Sequence, residues 1–472
     1  MRPLEIFILG LNLFSLTRLT LWVQRWPRWS NGAPLLALAL VGLHLVIEKY
    51  RWQMLPAYIF SLGLSIVILT LDLSLPKKPS TRWRPWVVGG AGWGALIVTA
   101  ILPYLFPVPQ FPPLTGQYPV GTISYHLIDS TRAEIYTAEP NDHRELMIQV
   151  WYPAAPAPDA TTGAWMERME IVAPAITSYL RLPPFLLDHL NLVHARSYPA
   201  ALMVAAPQRF PVIVHSHGWN GFRTLETNQV EELASQGYIV IAIDHTYGSM
   251  VTVFEDGRVA LNNPQALPRG VPTAEYQQAS ETLESVYAAD IRYVFDRLPD
   301  FDQGTLGDQR FAGRLDLAHI GVYGHSTGGG ATVIACAQDA RCKAGLGMDA
   351  WVEPVPEAVI TAGLDQPFLF MRSEAWSTGK NEDRLARLYA NLHGDGYRLS
   401  ILGTKHYDFT DLPLLSPLTP VMGLKGPLDG DRVIEIVNVY LRAFFDQYLK
   451  GESEALLKEP SAEYAEVSFE RR

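Results

Sequence analysis

The strongest chemical signal in the chain is Gly324-His325-Ser326-Thr327-Gly328, followed by Gly329 and Gly330. Gly-x-Ser-x-Gly is the spacing of a tight strand-to-helix turn that lifts a serine hydroxyl clear of a sheet. Glycines are needed there because the turn leaves no room for Cβ atoms. The five-residue pattern is common by itself, and its context sharpens it. An apolar run, His319–Tyr323, leads in, and a helix-forming run, Ala331–Gln338, leads out.

A nucleophilic serine needs a base, and an acid to orient that base. With this kind of turn the chain order is serine, acid, histidine. Two histidines follow Ser326. His393, in Leu392-His393-Gly394, reads as a helix-end or surface residue. His406, a short loop beyond Leu399–Leu402, stands where the base belongs. Two acids are in range: Asp349 ends the run Ala344–Met348, and Glu374 follows Phe368–Met371. Position alone slightly favours Glu374. Asp408 is two residues from His406 and reads as a brace for its loop. An oxyanion hole needs two backbone N–H groups. Thr327 N–H is one, and Trp219 N–H, in the loop Ser216-His217-Gly218-Trp219-Asn220-Gly221, is the candidate for the other. His217 and His245 lie upstream of the serine and read as packing residues.

These residues need a frame. Apolar runs at 121–126, 146–152, 210–215, 238–243, 319–323, 344–348, 368–371 and 399–402 read as strands. Several, such as Pro-Val-Ile-Val-His, are continuous and suit parallel strands covered on both faces. Helical patterns at 225–236, 273–298, 327–338, 383–392 and 433–449 alternate with them. The pattern predicts a mainly parallel α/β sheet, with catalytic groups on loops past the strand ends.

The first 110 residues are different. They hold ten Lys/Arg and three acids, a net +7, whereas the rest of the chain holds 28 Lys/Arg and 45 Asp/Glu, a net −17. Four apolar runs, 4–23, 33–47, 54–71 and 86–106, approach the ~20 residues needed to cross a bilayer. Trp22, Trp26, Trp29, Trp52, Trp83 and Trp86 cluster at their ends, as in an interfacial aromatic belt. The expectation is a four-helix transmembrane anchor over 1–110 and a catalytic domain over 115–472, joined by the proline-rich linker Phe106–Thr115. Arg25, Arg28, Lys77, Lys78, Arg82 and Arg84 lie in the first and third loops. They predict a multi-pass cell-membrane protein with those loops in the cytoplasm and the catalytic domain outside it. The acidic large part excludes a general nucleic-acid binder.

The catalytic part resembles the platelet-activating-factor acetylhydrolase family of serine esterases, in its α/β-hydrolase type and especially its bacterial relatives. The resemblance rests on Ser216-His217-Gly218 with Phe222-Arg223-Thr224, on Leu233-Ala234-Ser235-Gln236-Gly237-Tyr238, and on the serine turn. Met348-Asp349-Ala350-Trp351, His406-Tyr407-Asp408-Phe409 and Leu424-Lys425-Gly426 extend it. It implies an α/β-hydrolase fold, Ser326 as nucleophile, His406 as base, and Asp349 rather than Glu374 as acid. It places the oxyanion donors on Trp219 and Thr327. The family often has a smaller aliphatic residue where Trp219 stands. No cofactor or metal is implied.

Two features stay open on the sequence. Trp165–Leu202 is either a packed helical insertion or an apolar lid facing lipid. Cys336 and Cys342 are either a small disulfide loop or two buried thiols. The expected function is a membrane-anchored serine esterase or lipase acting on short-acyl or lipid esters. The alternatives are a polyester or lactone hydrolase or an acyltransferase with the same triad, and a non-catalytic hydrolase-fold sensor.

Overall fold

Four N-terminal apolar runs fold into helices: α1 (Pro3–Leu21), α2 (Gly32–Ile47), α3 (Leu55–Ser74) and α4 (Arg84–Leu105). The structure, a computed structural model, describes every residue except 22–29, 31, 75–83 and 206–207. Among the described residues only two helical stretches, Pro3–Thr20 and Trp52–Thr70, are long and apolar enough to cross a membrane. Helix α2 has 16 residues, about 24 Å at 1.5 Å per residue against a ~30 Å hydrocarbon core. Within α4 the described stretch Gly90–Leu105 is also shorter than a span. The expected four-helix transmembrane region is therefore corrected to two helices of spanning length among the described residues. The multi-pass location and the outward-facing catalytic domain, which rested on four spans, fall with it. Trp22, Trp26, Trp29, Trp83, Arg25, Arg28, Lys77, Lys78 and Arg82 lie outside the described residues.

The chain forms two compact units. One comprises Met1–Pro109 with Pro183–Val193 and Leu415–Leu418. Inside it Leu16, Leu64 and Leu96 pack together, as do Leu9, Met54 and Ala57. Trp52 packs against Phe106 and Phe185, and its Nε1–H donates to Leu186 O at 3.3 Å. A buried polar knot ties the helices: Arg51 donates to both oxygens of Glu5, at 2.7 and 2.6 Å, and to Phe106 O at 2.6 Å.

The second unit is built on a sheet. Its strands are β1 (Val120–Ala133), β2 (His143–Ala155), β3 (Tyr198–Pro199), β4 (Leu202–Met203), β5 (Phe210–Ser216) and β6 (Ile239–Asp244). After the small hairpin β7 (Val251–Val253) and β8 (Val259–Leu261) come β9 (Leu315–His325) and β10 (Cys342–Met348). The last are β11 (Phe368–Ser373), β12 (Gly396–Ile401) and β13 (Val467–Arg471). The order is β13-β12-β11-β10-β9-β5-β6-β2-β1-β3, with β4 on β2. From β6 to β12 all neighbours run parallel.

The apolar runs have a simple cause. Val212 and Val214 of β5 face a core shared with α7 (Thr273–Gln303) and α8 (Thr327–Gln338). Ile213, between them, faces the opposite core, shared with α6 (Thr227–Ser235) and α11 (Gly430–Phe445). A strand covered on both faces is apolar at every position, so the period-2 alternation disappears.

Trp165–Leu202 divides between the units. Helix α5 (Met169–Tyr179) buries Met169, Val172 and Ala173 in the second unit, and Trp165 Nε1–H donates to Thr224 O at 2.9 Å. Pro183–Val193 belongs to the first. Cys336 and Cys342 are joined in a disulfide.

Candidate active site

The parallel strands deliver the candidate residues to one edge. Strand β9 ends at His325 and β10 at Met348, and these two residues are register partners. Ser326 and Asp349 are the next residue on each, so they emerge side by side. Ser326 takes φ 56° and ψ −119°, a conformation that a non-glycine residue adopts only when its surroundings enforce it. Its N–H donates to Met348 O at 2.9 Å, and its carbonyl accepts from Gly329, Gly330 and Trp351 at 3.0, 3.1 and 2.9 Å. Gly328 shows why the turn demands glycine: a Cβ there would run into the carbonyl oxygens of Ser216 and His217.

Asp349 is buried, at φ 41°, with its N–H on Met371 O at 2.8 Å. Its Oδ1 accepts from Ser373 N–H at 2.7 Å. Its Oδ2 accepts from Ser373 Oγ at 2.6 Å and faces His406 Nδ1 at 3.0 Å. Three donors thus fix one carboxylate. His406 opens a 3-10 turn, His406–Phe409. Asp408 braces that turn as expected, its Oδ2 accepting from Lys405 N–H at 2.8 Å and Gly426 N–H at 2.7 Å. From beneath, His325 Nε2–H donates to His406 O at 2.9 Å. Burial, then the neighbouring His406, holds the His325 ring well below the usual imidazole range, so it stays neutral. Above, Trp376 stacks on the His406 ring.

The structure therefore brings Ser326, Asp349 and His406 to neighbouring strand ends and leaves the other candidates aside. Glu374 accepts from Gly403 N–H at 2.7 Å. His393 is an exposed partner of Asp365. No hydrogen bond joins Ser326 to His406, and such contacts tighten when substrate binds. Trp219 and Thr327 sit on the two turns that meet at Ser326: a Cβ on Gly218 would lie 2.9 Å from Ser326 Cβ. Neither backbone N–H donates to another described group. Two backbone donors on turns beside a serine can hold a developing oxyanion.

Sequence reasoning missed Ser373 and Trp376. Both follow the apolar run of β11, and that position was the available signal. It also missed that His245 is wired into the core. His245 Nδ1 lies 2.9 Å from Asp290 Oδ2, its Nε2 lies 2.8 Å from Ser216 Oγ, and its ring stacks on Tyr287 at 3.7 Å. Burial alone would raise the Asp290 carboxyl. Arg144, 2.6 Å away, overrides it and holds the group well below the usual range. Two groups of ligand-type side chains exist among the described residues, Glu5–His44–Glu48 and Asp446–Glu452–Glu454. Both already carry cations, Arg51 on Glu5 and Lys450 on Asp446. Neither includes Ser326, Asp349 or His406.

Known proteins are similar to this chain in sequence and in fold. Residues 105–461 match the family model described as platelet-activating factor acetylhydrolase, isoform II. The platelet-activating factor acetylhydrolase of Cavia porcellus is 25% identical over 256 residues, and that of Canis lupus familiaris 28% over 265. Each match covers 51% of this chain and 58% of the relative, so the chain spans under three fifths of the length of these curated relatives. The ferulic acid esterase from Streptomyces cinnamoneus superposes with a TM-score of 0.64 at 27% identity. It covers 77% of this chain and 99% of its own. With the family model spanning three quarters of the residues, and with an α/β-hydrolase sheet beneath them, the chain belongs to the platelet-activating factor acetylhydrolase isoform II family.

Proposed function

We propose that this protein is a serine carboxylic-ester hydrolase acting on short-acyl or lipid esters through an acyl-enzyme on Ser326. One observation carries the reading: a nucleophile turn lies beside a buried Asp349 that is fixed by Ser373 and faces His406 Nδ1 at 3.0 Å. His406 Nε2 takes the Ser326 proton as Oγ attacks the ester carbonyl. The oxyanion is held by Trp219 and Thr327 N–H. Asp349 keeps the proton of His406 on Nδ1 and stabilises the imidazolium. The imidazolium then protonates the leaving alcohol. A water deprotonated by His406 attacks the acyl-enzyme, releases the acid and restores Ser326.

The substrate side rests on the relatives. The relatives named acetylhydrolases support a short acyl group, and a relative in Arthroderma benhamiae carries the description probable 1-alkyl-2-acetylglycerophosphocholine esterase. A lipid surface fits the first unit, where Phe7, Val46 and Ile59 are exposed. The solved ferulic acid esterase favours a second reading, an aromatic acyl group.

The test is an ester panel on the full chain: acetyl and longer nitrophenyl esters, a 2-acetyl phospholipid in vesicles, and a feruloyl ester. Fluorophosphonate labelling runs alongside. The expected result is labelling of Ser326 and hydrolysis of acetyl esters, both abolished in Ser326→Ala. Full activity in Ser326→Ala would sink the mechanism. A preference for the feruloyl ester would select the second reading.

A further inference from the structure

The peptide between Gly218 and Trp219 carries both the carbonyl of Gly218 and the N–H of Trp219. A trans peptide is planar, and its C=O and N–H point in opposite directions. Whatever holds the Gly218 oxygen therefore aims the Trp219 N–H. Two groups hold that oxygen: His217 Nδ1 at 2.6 Å and Gly221 N–H at 2.9 Å.

The tautomer of His217 follows from its other nitrogen. Nε2 faces Ser249 Oγ at 2.8 Å and His245 N–H at 3.4 Å. The backbone N–H can only donate, and the Ser249 hydroxyl has no other acceptor among the described residues. Nε2 is thus an acceptor, so the ring proton sits on Nδ1 and points at the Gly218 carbonyl. His217 is buried, and burial, then the neighbouring His245, push it well below the usual imidazole range, which keeps it neutral. Behind it, the Ser216–His245–Asp290–Arg144 chain fixes the end of β5 from which the loop departs.

We propose that His217 is the positioning residue of the oxyanion hole: its Nδ1–H clamps the Gly218 carbonyl and so aims the Trp219 N–H toward Ser326. The histidine touches neither substrate nor the reacting atoms. It fixes a peptide plane before substrate arrives. The inference rests on the ester-hydrolase reading of Ser326.

The experiment compares His217→Leu, His217→Asn, Ser249→Ala and Ser326→Ala on an acetyl nitrophenyl ester. It also measures inhibition by a trifluoromethyl ketone, which mimics the tetrahedral intermediate. Losing one oxyanion donor costs about 10²–10³ in kcat. His217→Leu should lose about a hundredfold in kcat with KM within twofold, and the ketone should bind more weakly by a similar factor. In His217→Asn the side-chain amide N–H stands where Nδ1–H stood, so kcat and ketone affinity should return to within tenfold of the parent. Ser249→Ala, which frees the ring, should weaken ketone binding in the same direction, and it decides the matter if His217→Leu does not fold. An inactive Ser326→Ala beside a His217→Leu or Ser249→Ala with unchanged ketone affinity overturns the clamp alone. An active Ser326→Ala overturns the reading of the site and the clamp with it.

Discussion

The indole of Trp376 lies nearly parallel to the imidazole of His406, with 4.1 Å between ring centroids and 20° between planes. The stack covers a face of the ring, while Asp349 holds its Nδ1 edge at 3.0 Å. Aromatic pairs contribute about 0.5–1.5 kcal/mol beyond buried area, which converts to roughly two- to tenfold in rate if the stack orients the base. Trp376→Ala should therefore lower kcat/KM by about tenfold. Trp376→Phe, which keeps a ring, should lose less. Steady-state kinetics on an acetyl ester decide this, and equal losses in both variants would mean that stacking is not the cause.

The serine turn predicts a backbone effect. Gly328 passes so close to the carbonyls of Ser216 and His217 that a Cβ has no space, and backbone atoms cannot rotate away. Gly328→Ala should destabilise the second unit by about 3 kcal/mol, the upper range for overpacking. It should also abolish fluorophosphonate labelling, because relief of the clash moves β5 and the serine turn apart. Thermal melting and labelling measure the two effects.

Several of these contacts had a sequence signal and others had none. Strands β5, β6, β9 and β10 were visible because burial on both faces leaves continuous apolar runs. That placed Ser326, Asp349 and His406 past strand ends. The choice between Asp349 and Glu374 was not visible locally. It is made by tertiary contacts, since Ser373 grips the Asp349 carboxylate while Glu374 turns to Gly403. His217 looked like a packing residue because its partners, Ser249 and the Gly218 carbonyl, meet only after β5 and β6 align. At the N-terminus the apolar runs located four helices, but hydropathy does not fix where a helix ends, and α2 stops too short to span.

The pH dependence of stability has a legible sign. Burial pushes the Asp411 carboxyl up to about 8 from an ordinary 3.8, against the hydrogen bonds it accepts from Asn228 and Thr227. Below the ordinary value both folded and unfolded chains hold the proton. Between 3.8 and about 8 the unfolded chain has released it and the folded chain has not. The Asp411 contribution to stability therefore falls as pH rises through this window, by at most about 1.4 kcal/mol per pH unit. Glu231, raised by burial to about 7, adds to the slope over the lower part of the window. Measured against the parent, Asp411→Asn should gain melting temperature as pH rises from 5 to 8, and the variant with Glu231→Gln added should gain more. Parallel pH profiles in all three would remove these carboxyls as a source of pH dependence.

The Glu5–Arg51 pair in the first unit makes the last prediction. Both side chains are fully buried, and the guanidinium meets the carboxylate through two hydrogen bonds of 2.7 and 2.6 Å. Desolvating two charges nearly cancels their attraction, so such a pair contributes little over an apolar replacement. Breaking it is another matter: without Glu5 the Arg51 guanidinium stays buried with no carboxylate on it, at a cost of about 3–5 kcal/mol, whereas without Arg51 the Glu5 carboxylate still holds Arg2 at 2.8 Å. Glu5→Leu alone should loosen α1 and the Arg51 turn, read as faster hydrogen exchange across Pro3–Leu21 and Arg51–Met54. Arg51→Met alone should do the same to a smaller extent, because Arg2 still pairs with Glu5. The double variant Glu5→Leu with Arg51→Met should recover most of the protection, since neither charge then needs a partner. If the double variant exchanges as fast as either single one, the knot stabilises the helices outright and the desolvation argument fails for this unit.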